Sequence, residues 1–75
     1  MTNLDLTFGE TILILRRRKK MTANETSALA GISTTHWSKL EQGEKFPRPS
    51  TLRKIAEALE YPLEDLAVLV AKEGK

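Results

Sequence analysis

The chain has 75 residues, 40% of them hydrophobic and 29% charged, with twelve Lys/Arg against ten Asp/Glu for a net charge of +2, one histidine and no cysteine. A chain of this size makes one small domain that buries only about 60% of its unfolded surface, which argues against a deep catalytic cleft. The cysteine count excludes a disulfide framework and a thiolate metal site, one histidine cannot hold zinc alone, and the longest apolar runs, 12–15 and 66–71, are far too short to span a bilayer. No signal peptide is visible, so a soluble cytoplasmic protein is expected, without metal, cofactor or membrane partner.

Residues 1–6 read as an N-terminal segment and 7–72 as the folded domain. Helix 1 is expected over about 7–19. Thr7 and Glu10 have the spacing of a reciprocal capping box, and Phe8, Ile12 and Leu15 recur on one face. The helix ends in Arg16-Arg17-Arg18-Lys19-Lys20, which carries the charge asymmetry of the chain. Residues 1–40 hold six Lys/Arg against three acidic residues, and the remainder holds six against seven. Two readings of this block stand side by side. It is a patch that faces phosphates, or a solvated helix end whose cations complement the negative end of the dipole.

The stretch 22–43, TANETSALAGISTTHWSKLEQG, spells two short helices joined by a tight turn. Thr22 and Glu25 repeat the capping-box spacing. Gly31 suits a left-handed helix stop, Ile32 drops toward a core, Ser33 caps the next helix, and Gly43 ends that one. Two helices of about two turns with this linkage match the helix-turn-helix unit, whose second helix can lie in a DNA major groove. On a wheel of about 100° per residue, Thr34, Thr35, Ser38, Lys39 and Gln42 share one sector of about 140°, with Trp37 and Leu40 opposite. The sector offers hydroxyls, an amide and a cation, groups that bond base edges or phosphates. His36 lies at its edge without a ligand or acid partner nearby in sequence. Glu41 and Arg16 border the buried sides of their helices.

The loop GEKFPRPS follows, and Pro49 suits the first turn of helix 4, which runs to about residue 60 and buries Leu52, Ile55, Ala56 and Leu59. Pro62 restarts the chain into helix 5, about 63–72, with Leu63, Leu66, Ala67 and Val70 inward, and 73–75 form a fraying tail. The class is all-α, five short helices. Leu13 and Ile14 turn from the core stripe of helix 1, with Leu4 and Leu6 available to cover them. Val68 and Leu69 turn from that of helix 5. This second pair is the expected homodimer interface.

Taken in order, Phe8-Gly9-Glu10, Ile12, Leu15-Arg16, Met21-Thr22, Leu29-Ala30-Gly31-Ile32-Ser33, Leu40-Glu41-x-Gly43, Pro47, Thr51-Leu52 and Ile55-Ala56-x-Ala58-Leu59 resemble the phage repressor and Cro-like helix-turn-helix family, also called XRE. The resemblance covers about residues 8–70. It implies a compact five-helix, lambda-repressor-like DNA-binding domain, a regulator that binds a palindromic operator as a dimer. It implies base contacts from Thr34, Thr35, Ser38 and Lys39, and a structural ion pair between Arg16 and Glu41. With Gln42, Thr22 and Lys45 these four complete the candidate DNA-binding set. The chain departs from the family at Ala23, where a phosphate-clamping Gln is usual, at Thr26 and Ser27, usually an aliphatic residue and Ala, and at Trp37, usually Ile or Val. Hydroxyls at 26 and 27 are compatible with a helix that lets them bond the carbonyl one turn back. An antitoxin or adaptor that binds a protein partner through the same fold is the alternative function, and catalysis is not expected.

Overall fold

The first three helices begin where local chemistry satisfies unpaired backbone groups, as seen in a computed structural model that describes residues 6–73. Helix α1, Phe8–Arg18, opens on Thr7, whose Oγ1 accepts from the Glu10 N–H at 3.0 Å while the Glu10 carboxylate accepts from the Thr7 N–H at 2.9 Å. Helix α2, Ala23–Ala30, opens on the same box between Thr22 and Glu25, and α3, Thr34–Gln42, opens on Ser33, whose hydroxyl accepts from the His36 N–H. Gly31 and Gly43 close α2 and α3 at φ values of 76° and 81°, a region where a side chain is strained. Helix α4, Pro49–Leu59, starts with proline in its first turn, and α5 is Leu63–Glu73.

Two helix ends differ from the glycine pattern. α1 and α4 end with Lys20 and Glu60 in the left-handed region, at φ 58° and 55°. Lys19 and Glu60 meet there in an exposed ion pair of 2.9 Å, joining the end of α1 to the end of α4.

The core is one cluster. Phe8, Ile12, Ala30, Trp37, Leu40, Leu52, Ile55, Ala56, Leu59 and Leu66 are buried, with Leu15, Ile32, Leu63, Ala67 and Val70 packed against it. Every helix contributes, which follows from 3.6-residue spacing on short elements: each offers one stripe, and only five stripes together enclose a core. α1 packs on α3, α2 on α3 and α4, and α4 on α5. The approach of α1 to α3 is set by Gly9, where a Cβ would come within 2.6 Å of the Leu40 carbonyl oxygen and collide with that of Glu41.

Two expectations about helix 5 are revised. The wheel puts Leu69 with Val68 on an outward stripe, but Leu69 is partly buried against the core, and Val68 stands out, at 56% exposure. Leu69 lies only about 60° around the helix from the buried Leu66, inside a stripe wider than the wheel assumed. Glu73, placed in the tail, belongs to α5, and its carboxylate accepts from the Phe8 N–H at 2.5 Å. A negative group at the positive end of α1 is a favourable arrangement. Leu13, Ile14 and Leu6 are partly buried, while Leu4, also expected to cover helix 1, lies outside the described residues, as do 74 and 75.

Candidate nucleic-acid interface

The inward face of α3 determines how its outward face is held. Trp37 and Leu40 are fully buried, so the helix is anchored from below. Glu41 ties it further: its Oε2 accepts from Arg16 Nε at 2.7 Å and from Trp37 Nε1 at 2.5 Å, and its Oε1 accepts from Arg16 Nη2 at 3.3 Å. Arg16 also donates from Nη1 to the Met21 carbonyl, at 3.1 Å. The two side chains are 14% and 13% exposed. At such burial a charge without its partner is costly, and here the fork of Arg16 and the indole N–H satisfy the carboxylate together. Trp37 Nε1 thus finds the acceptor that a buried indole requires.

The outer sector is different in kind. Thr34, Thr35 and Gln42 are exposed, and Ser38 and Lys39 are half-buried on the same side of the helix. Ser38 Oγ accepts from Gln42 Nε2 at 3.1 Å, one turn along, so these two side chains are held in register. Thr34 is held by α2 instead, its hydroxyl donating to Asn24 Oδ1 at 2.7 Å. Thr22 is exposed at the start of α2, where it is occupied as a cap. Lys45 is exposed just beyond Gly43. The five α3 residues therefore share one face, flanked at one end by the start of α2 and at the other by the loop that follows α3.

The basic block at the end of α1 is divided by the fold. Arg17, Arg18 and Lys20 are exposed where α1 runs into Met21 and Thr22, whereas Arg16 is turned inward and Lys19 is engaged by Glu60. The five-residue basic block thus divides into one structural residue, one residue tying α1 to α4, and three outward cations. His36 is half-buried.

Sequence reasoning passed over two features. Asn24 was assigned no role, although an amide in the first turn of α2 is within reach of the first turn of α3 once Gly31 folds the two together. The Trp37 to Glu41 bond was also missed, although the spacing i, i+4 is a signal for it. Thr26 and Ser27 did read correctly: they are 0% and 2% exposed, and their hydroxyls donate to the carbonyls of Thr22 and Asn24.

Among the described residues no group of three His, Asp or Glu side chains is placed to hold a metal ion, and no helix is long and apolar enough to cross a membrane. A family model described as a helix-turn-helix domain matches residues 7–69. The chain is 40% identical over 60 residues to the HTH-type transcriptional repressor RghR of Bacillus subtilis strain 168, a match covering 79% of this chain and 44% of RghR. It is equally similar to the HTH-type transcriptional regulator RghRB of the same strain, over 79% of this chain and 43% of that protein. The chain thus spans under half the length of these relatives. Among solved structures it resembles the DNA-binding domain (1–76) of the P22 c2 repressor, with a TM-score of 0.79, 24% identity and coverage of 88% and 86% of the two chains. It also resembles the restriction-modification controller protein C.AhdI from Aeromonas hydrophila, with a TM-score of 0.74, 24% identity and coverage of 79% and 89%. A third, the clp gene regulator ClgR from C. glutamicum, has a TM-score of 0.72 at 24% identity, covering 91% and 88%. At that identity the solved structures speak to the fold.

Proposed function

This chain belongs to the XRE-type, Cro/C1-like helix-turn-helix family, and from that premise we propose that it is a sequence-specific, double-stranded DNA-binding transcriptional regulator. One observation carries the reading: α3 presents Thr35, Ser38, Lys39 and Gln42 together on an outward polar face while Trp37 and Glu41 fix the helix from beneath. A helix rigidly held and polar outside is suited to reading base edges in a major groove. Thr22, Lys45 and the exposed cations Arg17, Arg18 and Lys20 are assigned to the phosphates. The name of RghR as a repressor favours repression as the effect.

The operator is palindromic in this reading and the protein binds it as a homodimer. Val68, 56% exposed on α5, supports a twofold contact that would count its burial twice, at about 1 kcal/mol for each partly covered side chain. Leu69 contributes only its outer edge. The reading helices then meet half-sites about one DNA turn apart. Leu29, 58% exposed on α2, is the observation that favours the second reading, a protein-binding module such as an antitoxin or adaptor. Selection of bound sequences from random duplex DNA, followed by gel filtration with and without the selected duplex, tests both. The expected result is an enriched palindrome bound by two chains. Binding no better than to random duplex at moderate salt sinks the regulator reading, and one chain per site sinks the dimer.

A further inference from the structure

Where α2 meets α3, two hydroxyl groups both donate to Asn24, one to its side chain and one to its backbone. Thr34 Oγ1 donates to Asn24 Oδ1 at 2.7 Å, Ser27 Oγ donates to the main-chain carbonyl of Asn24 at 2.9 Å, and the two hydroxyl oxygens are 3.3 Å apart. A hydroxyl has one hydrogen to donate. With both directed at Asn24, Thr34 has no donor left for a base edge, and its methyl is the part that remains for contact. Asn24 is in the opposite position. Its side-chain oxygen Oδ1 is held, which restrains the amide, and Nδ2 brings two donors with no hydrogen bond among the described residues on an exposed side chain.

We propose that Asn24 makes the polar DNA contact at this junction and that Thr34 is the positioning residue that aims its amide. The proposal rests on the reading of the chain as a duplex-DNA binder, and it moves a role from a residue assigned by sequence to one that was not. In helix-turn-helix docking the first motif helix crosses the DNA backbone while the second lies in the groove. The acceptor for an amide on α2 is therefore a phosphate oxygen, which positions the protein without reading sequence.

The test measures affinity for the selected duplex and for its single base-pair variants, with a melting curve for each protein. Asn24→Ala and Thr34→Val are each expected to weaken binding about ten- to a hundredfold, the range of one hydrogen bond to a charged acceptor. The loss is uniform over the duplexes, and the double variant is no weaker than Asn24→Ala, because the clamp and the amide it holds act as one unit. Asn24→Asp keeps the acceptor for Thr34, adds an acid that favours the first turn of α2, and sets an anion against phosphate. Its affinity falls further while its melting temperature holds or rises. Additive losses, a loss confined to one base pair, unchanged binding by Asn24→Ala, or affinity that falls only where the melting temperature falls would each overturn the assignment. A wild-type chain that enriches no duplex overturns the functional reading itself, a result distinct from these.

Discussion

The two faces of α3 use similar chemistry for opposite ends. Beneath the helix, Glu41 accepts from Arg16 and Trp37 in a site where each side chain of the ion pair is less than one-seventh exposed. On top, Lys39, Ser38 and Gln42 carry groups of the same kinds with few protein partners. The inner groups are complete within the protein and can only hold it. The outer groups are incomplete and can take a ligand. A charged residue on this helix is therefore structural or functional according to how far its own fold has satisfied it.

The strongest way to break that contrast is Glu41→Ala. It leaves the Arg16 guanidinium and the Trp37 indole N–H buried without their acceptor, at a cost of about 3 to 5 kcal/mol. In a domain of this size that lowers the melting temperature by more than about 10 °C. An unchanged melting curve with altered DNA affinity would put Glu41 on the wrong face. Lys39→Ala is the mirror experiment. It should weaken specific binding by about 1 to 3 kcal/mol and leave the melting temperature within about 2 °C, because it removes a group that the fold does not use. If thermal stability falls in step with affinity, the outer face is not independent of the inner one.

Val68→Glu sharpens the comparison away from α3. The expected result is weaker binding to the palindrome with an intact melting transition, read by titrating both properties on one preparation. The smallest effect concerns the end of α1. Lys20→Gly removes a side chain from the left-handed region, a gain of about 1 kcal/mol that the greater freedom of glycine in the unfolded chain partly cancels. The net is a rise of a few degrees in melting temperature, together with a shallower salt dependence of DNA binding by about one unit if Lys20 meets a phosphate. A lower melting temperature would show that the Lys20 side chain stabilises the turn.

Helix starts, helix stops and the core stripe were legible in the chain itself. Thr7 with Glu10, Thr22 with Glu25, Ser33, Gly31, Gly43 and Pro49 act on backbone groups within four residues, so the information needed is local and the boundaries agree to within one residue. The buried set Phe8, Ile12, Leu52, Ile55, Leu59 and Leu66 follows from spacing alone, since a short helix has one way to turn a stripe inward. The resemblance to the phage repressor and Cro-like family brought the rest of the motif and the pairing of Arg16 with Glu41. Only the tertiary structure decided which partner each polar group takes. Whether the Thr34 hydroxyl is free or bonded to Asn24, whether Lys19 is free or bound to Glu60, and whether Leu69 faces water or the core depend on a second helix. Its distance and angle follow from contacts such as Gly9 against the carbonyls of Leu40 and Glu41. A helical wheel gives the direction of a side chain, and a neighbouring helix decides what it meets there.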